Sequence, residues 1–174
     1  SLRQENKELK QKDIVEYELK GESTIFRNFI SSLDKVSKAN SRVLISGSSG
    51  SGKETSARYI HENSKQTAGS FIAINCSVSD QDELDRVLFG IENKDGLQEV
   101  GALEMANGGT VYLDEVAEMP LDLQGKLLKF LVSRTLSRIG TNKQLDIDLR
   151  VISSTSSDFS EKIKSKKFRE DLFH

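Results

Sequence analysis

Gly47-Ser48-Ser49-Gly50-Ser51-Gly52-Lys53-Glu54 sets glycines and a lysine at the G-x-x-x-x-G-K spacing. Those residue types at that spacing suit a polyphosphate. Glycines let the backbone wrap until successive N–H groups face phosphate oxygens. A helix starting near Lys53 adds its positive N-terminal end, and Lys53 brings a mobile point charge to the β- and γ-phosphates. Glu54 departs from the pattern, because a Ser or Thr that touches Mg²⁺ usually stands there. The plainer alternative is a Gly/Ser-rich turn that closes a strand. Further along, Thr110-Val111-Tyr112-Leu113-Asp114-Glu115 is an apolar run ending in paired carboxylates. Neighbouring acids at a strand end point differently and suit two tasks. Asp114 can reach Mg²⁺ on the phosphates, and Glu115 can polarise an attacking water.

That chemistry works only if both segments open into one crevice, which a parallel sheet provides at the carboxyl ends of its strands. The apolar runs Val43-Leu44-Ile45, Phe71-Ile72-Ala73-Ile74, Val111-Tyr112-Leu113 and Leu149-Arg150-Val151-Ile152 are short, rich in branched residues and followed by polar or glycine-rich sequence. Buried parallel strands read this way. Helical patterns fall between them, over 54–63, 81–88, 101–106 and 121–133. The alternation predicts an α/β domain with a mostly parallel sheet. Residues 135–148 read instead as a β-hairpin turning at Gly140-Thr141-Asn142. Ahead of the first strand, Ile25, Phe26, Phe29, Ile30, Leu33 and Val36 form one helical stripe, with Ser23 as its cap after a break at Gly21. The opening residues are polar and helix-prone, with Leu2 and Leu9 seven apart as in a coiled-coil seam. A dimerising linker and a solvated leader helix are the two readings of that stretch.

The bulk properties exclude several function classes. The 174 residues are one domain by length. Lys and Arg number 25 against 27 Asp and Glu, and a net charge of −2 offers no bulk attraction for nucleic acid or an anionic membrane. No apolar run approaches the ~18 residues of a membrane span, and the opening residues do not read as a signal peptide. A single cysteine excludes an internal disulfide framework and fits a reducing cytosol.

The stretches GSSGSGKE, RYIHENS, FIAINC, LFG, GALEMANGGTVYLDEVAEMPLDLQGKLLKFL, RIG, DLRVISST and FREDLFH together resemble the AAA+ ATPase domain of NtrC-type bacterial response regulators, the sigma-54 interaction domain. The likeness runs over most of residues 19–174. It implies a three-layer P-loop NTPase (AAA+) core at 19–174, truncated before its helical lid. Residues 1–18 would then be a linker helix from a missing receiver domain. In that family the loop ends in Lys-Glu, so Glu54 fits. The implied cofactors are ATP and Mg²⁺. The implied nucleotide site is Gly47, Ser48, Ser49, Gly50, Ser51, Gly52, Lys53, Glu54 and Thr55, with Lys20 near the adenine and Asp114 on the metal. The implied catalytic set is Lys53, Asn75, Asp114, Glu115 and Arg169. Asn75 matches an asparagine that hydrogen-bonds the catalytic Glu and switches its orientation. Arg169 matches a finger that reaches the γ-phosphate of a neighbouring subunit. Cys76 and His61 match packing and structural positions.

Three departures from the family pattern shape the functional expectation. The Gly-Ala-Phe-Thr-Gly-Ala loop that contacts sigma-54 should lie between LFG and GALEM, where this chain has IENKDGLQEV; its loss resembles the NtrX branch and argues against activation of sigma-54 polymerase. Ser156 stands where a sensor Asn is expected after Thr155, which implies slow hydrolysis. The chain ends inside FREDLFH, so the fifth strand, the lid and a second arginine are absent. The family's strand order, 5-1-4-3-2, then leaves Val43–Ser46 at an edge, to be covered by a neighbouring chain, the leader helix or tail residues. The expected protein is a cytoplasmic two-component regulator that binds ATP and assembles as a dimer through the linker and a ring through this domain. It would contact DNA and a sensor kinase only through missing domains. A non-hydrolysing oligomerisation switch and a conventional sigma-54 activator remain as alternatives. A small-molecule kinase is disfavoured by Glu54 and the lack of an arginine-rich lid.

Overall fold

The four apolar runs become neighbours in one sheet. In the computed structural model, which describes residues 32–39, 42–47, 52–78 and 80–156, strands β1 (Val43–Ser46), β2 (Phe71–Asn75), β5 (Thr110–Asp114) and β8 (Arg150–Thr155) lie in the order β1-β8-β5-β2. Every pairing among them is parallel. This is the 1-4-3-2 portion of the order implied by the resemblance. The other elements are helices α1 (residues 32–38), α2 (Lys53–Glu62), α3 (Gln81–Phe89), α4 (Ala102–Met105) and α5 (Leu121–Ser133). A 3-10 turn (Val116–Glu118) follows β5, and there are two small antiparallel hairpins: β3 (Ile91–Glu92) with β4 (Gln98–Glu99), and β6 (Thr135–Leu136) with β7 (Leu145–Asp146).

Side chains alternate across a strand, so a buried strand feeds two cores. On β5, Val111 and Leu113 pack with Leu84, Leu103, Leu127 and Phe130 from α3, α4 and α5. Tyr112, between them, packs with Leu33, Ala57 and Ile60 from α1 and α2. Strand β8 repeats the split, with Val151 on one side and Ile152 on the other. The sheet is the middle of three layers.

The helices expected over 54–63, 81–88, 101–106 and 121–133 and the 135–148 hairpin form within a residue or two of their expected ends. Strand β8 differs: its apolar run stops at Ile152, yet the strand continues through Ser153, Ser154 and Thr155. Strand β1 pairs with all three, Leu44 with Ser153, Ile45 with Ser154 and Ser46 with Thr155, and β5 pairs with the first of them through Leu113. Backbone pairing with β1 keeps this hydroxyl-rich segment extended, and it is fully buried at Ser154 and Thr155.

Local chemistry closes the element ends. Asp80 Oδ1 caps α3 by accepting from the N–H groups of Asp82 (3.0 Å) and Glu83 (3.3 Å). At the other pole of a helix, the buried Arg150 guanidinium donates to the C-terminal carbonyls of Ser37 (3.0 Å) and Val36 in α1, a favourable place for a cation. Burial lowers the Arg150 pKa. Strand β1 is one edge of the sheet, with Leu44 40% exposed. The cover expected over it, the leader 1–18 and the residues Ile25 to Ile30 of the helical stripe lie outside the described residues. Among the described residues no helix is long and apolar enough to cross a membrane.

Candidate functional site

The loop leaves β1 beside the end of β8, where the Gly47 N–H donates to the Thr155 carbonyl at 3.2 Å. It re-enters described structure at Gly52, whose φ of +83° lies in the left-handed region that favours glycine. Helix α2 starts at the next residue. Lys53 is only 8% exposed, and its Nζ donates back to the Gly47 carbonyl at 2.8 Å, so the charge spans the mouth of the loop. Glu54 is exposed and pairs with Arg58 one helical turn on, at 3.7 Å. Thr55 is half-buried beside it. Ser48, Ser49, Gly50 and Ser51 lie outside the described residues, as do Lys20 and Arg169.

The carboxylates arrive from β5. Asp114 is its last residue, and the neighbouring pair Leu113 with Ser153 sets Ser154 alongside it. Asp114 Oδ1 accepts from Ser154 Oγ at 2.7 Å and lies 3.4 Å from the Tyr112 hydroxyl, which donates to Ser154 Oγ at 2.8 Å. Burial, with the nearby Asp114 charge, pushes the Tyr112 phenol up to about 12 despite its bond to Ser154, so it carries its proton at neutral pH. Glu115 follows at φ 56°, in the left-handed region although it has a Cβ. Such strain is tolerated when surrounding structure holds it. Here the Glu118 N–H donates to the Glu115 carbonyl at 3.0 Å, and Ser156 Oγ meets both Glu115 carboxylate oxygens at 2.9 and 3.0 Å.

Gly52, Lys53, Glu54, Thr55, Tyr112, Asp114 and Glu115 line one cleft of about 350 Å³. A cation and a helix N-terminus sit on one side of it and two carboxylates on the other. The first pair suits phosphate oxygens; the second needs a hard cation between itself and those oxygens. Among the described residues no group of three or more His, Cys, Asp or Glu side chains gathers to hold a metal. The donors present in the cleft are the Asp114 and Glu115 carboxylates, and Mg²⁺ takes one or two carboxylates and completes its shell with phosphate oxygens and water. The residues present therefore fit a Mg²⁺–nucleotide.

The other expected residues divide. Asn75 ends β2 in register with Asp114, but its Oδ1 accepts from the N–H (3.0 Å) and Oγ (2.7 Å) of Ser77. The partner of Glu115 is Ser156, not Asn75. Cys76 is fully buried, and its thiol is pushed up to about 12 by burial and by the Asp114 and Glu115 charges. His61 bridges Thr110 Oγ1 at 2.7 Å and the Gly69 carbonyl at 3.1 Å, a structural role. Sequence reasoning missed Tyr112 and Ser154 as site residues. Their signal was faint: a phenol two residues before Asp114, and a hydroxyl run after an apolar one.

The profile of the Sigma-54 interaction domain matches residues 19–174. The nitrogen assimilation regulatory protein NtrX of Azorhizobium caulinodans is 43% identical over 174 residues, covering 99% of this chain and 38% of that protein. A crystal structure of NtrX from Brucella abortus in complex with ATP superposes with a TM-score of 0.81 at 41% identity, over 87% of this chain and 35% of that one. The P-loop NTPase domain of the Sigma-54 transport activator from E. coli shares the fold, with a TM-score of 0.59 at 18% identity over 83% of this chain and 98% of that one. The chain thus spans little more than a third of the NtrX relatives it matches.

Proposed function

This chain belongs to the sigma-54 interaction domain family, and we propose that it is the ATP-binding centre of an NtrC/NtrX-type transcription regulator that hydrolyses ATP slowly to control its own assembly. The observation that carries this reading is the cleft in which Lys53, at the start of α2, faces Asp114 and Glu115 at the end of β5. The ATP-bound relative supports the choice of nucleotide.

In this proposal the loop from Gly47 to Gly52 and the N-terminus of α2 wrap the phosphates, and Lys53 offsets charge on the β- and γ-groups. Asp114 would hold Mg²⁺, which would supply charge neutralisation for the phosphoryl group being transferred. Glu115 takes a proton from the water that attacks the γ-phosphorus, and ADP leaves. To do so its carboxylate must turn away from Ser156. Arg169 serves a neighbouring subunit's site, Lys20 lies near the adenine, and Asn75 takes Glu115 once that carboxylate has left Ser156, as the resemblance implies. Dimerisation through residues 1–18, a ring through this domain, a receiver domain facing a sensor kinase, and a separate DNA-binding domain belong to the same proposal. Between Gly90 and Gly101 stands a short hairpin whose turn is closed by Asn93, Oδ1 accepting from the N–H groups of Asp95 (3.0 Å) and Leu97 (2.9 Å). A tight, charged turn supports the view that sigma-54 polymerase is not its target.

A second reading, a switch that binds ATP without turning it over, is favoured by the bonds from Ser156 to both Glu115 oxygens. ATP binding and turnover by the intact protein decide between them. Lys53→Ala is expected to lose binding. Glu115→Ala should still bind ATP while turnover drops by about 10²-fold or more. Tight binding with background turnover in the unmodified protein would establish the switch instead, and phosphate transfer to an acceptor would point to a kinase.

A further inference from the structure

We propose that Tyr112 and Ser154 are positioning residues that lock the carboxylate of Asp114 in the orientation in which it takes Mg²⁺. The inference rests on the nucleotide reading above. It starts from three side chains on the α1/α2 face of the sheet. Tyr112 and Asp114 are two apart on β5 and so share a face. Ser154 lies on β8, next to Asp114 by register.

The two shortest contacts assign their protons, the 3.4 Å contact from Tyr112 to Asp114 Oδ1 being the longer alternative for the phenolic one. An ionised carboxylate only accepts, so the 2.7 Å contact to Asp114 Oδ1 uses the one proton of Ser154. Ser154 Oγ then has only lone pairs left, so the 2.8 Å contact with Tyr112 must use the phenolic proton. The result is a directed chain, Tyr112 O–H to Ser154 O–H to Asp114 Oδ1, in which each bond strengthens the next. Ser154 is 0% exposed and Tyr112 1%, so water cannot substitute for either donor. A hydroxyl buried without a partner is unfavourable, and both are satisfied with the carboxylate in this rotation. Asp114 Oδ2 meets no donor among the described residues, which leaves that oxygen to a cation in the cleft that Asp114 lines. Partners that orient a metal ligand act on metal affinity, by about 10- to 100-fold when removed.

The test uses the intact protein and a fluorescent ATP analogue, with binding measured over graded MgCl₂ and again in EDTA. The readout is the Mg²⁺ concentration at half-effect. Ser154→Ala is expected to raise it about 10-fold. Tyr112→Phe, which keeps the ring and leaves no cavity, should raise it by a smaller factor. Binding in EDTA should match the unmodified protein for both. The proposal is overturned if neither variant moves the Mg²⁺ half-point, or if both weaken binding equally with and without Mg²⁺, as a packing role would. An unmodified protein whose ATP binding ignores Mg²⁺, or that binds no ATP, would overturn the nucleotide reading and this inference with it. That failure is distinguishable because it shows before any substitution.

Discussion

Lys53, Asp114 and Glu115 were legible as single residues because their types and spacing already state a chemistry. Their partners were not, since Ser156 reaches Glu115 across 41 positions and Ser154 reaches Asp114 across 40. Cys76 shows how much a neighbourhood changes one group. Sealed next to Asp114 and Glu115, its thiol has a pKa raised from 9.0 to about 12. A raised folded value means that the folded state keeps its proton while the unfolded state loses it. This contribution to stability is therefore fully present below pH 9 and is lost as pH rises towards about 12. Peptide-level measurement of iodoacetamide labelling should find Cys76 nearly inert in the native protein from pH 7 to 9. In denaturant its rate should climb steeply over the same range, as the thiolate forms. Comparable native and unfolded rates would contradict the burial.

At the scale of elements, the β3–β4 hairpin departs most from the family pattern, and its base explains two glycines. A Cβ on Gly101 would lie 2.5 Å from the Gly90 nitrogen and 2.5 Å from the Leu88 carbonyl oxygen. Both are backbone atoms and cannot step aside. Gly101→Ala is expected to destabilise the protein by about 3 kcal/mol. Gly96 sits at the hairpin tip with φ +88°, and a Cβ there would meet nothing within 4 Å. Its conversion to Ala should cost only about 1 kcal/mol, from backbone strain alone. Thermal denaturation of the two variants checks the contrast, and equal shifts would mean that the chains do not cross so closely. Beside the hairpin, Arg138 forks onto Glu104 at 2.8 and 2.9 Å and reaches Glu92 at 3.3 Å. The pairing raises its pKa, chiefly through the Glu104 bond, and ties the hairpin to α4. Among the elements, the end of β8 was the least legible. Hydroxyl residues after Ile152 look like a strand end until β1 is known to pair with all three of them.

For the whole molecule, the three layers set which groups can meet. Strands β1, β8 and β5 are adjacent, so the loop after β1 and the acids after β5 share one end of the sheet with β8 between them. If Arg169 works on a neighbour's nucleotide, catalysis belongs to the assembly and not to one chain. Arg169→Ala is then expected to lower turnover by roughly 10³-fold, and Lys53→Ala to abolish it. Mixing the two defective proteins should restore measurable activity, because a contact in which an Arg169→Ala subunit supplies the Lys53 site and a Lys53→Ala subunit supplies the finger is complete. Steady-state ATPase assays of the mixture check this, and no recovery after confirmed subunit exchange would place Arg169 outside the neighbour's site.

The α/β alternation, the phosphate-type loop ending in Lys53, the acid pair Asp114-Glu115 and the family are all written in the amino-acid sequence. Each is local in the chain: periodicity, turn chemistry and residue type carry it without any knowledge of packing. Other features exist only in the folded chain. Ser154 and Tyr112 bond at Asp114, Ser156 holds Glu115 while Asn75 turns to Ser77, and Gly90 and Gly101 cross. Each of these depends on strand register or on backbones passing within contact distance. A one-residue slip in a sheet turns every side chain to the opposite face, so such contacts form only once the strands have found their neighbours.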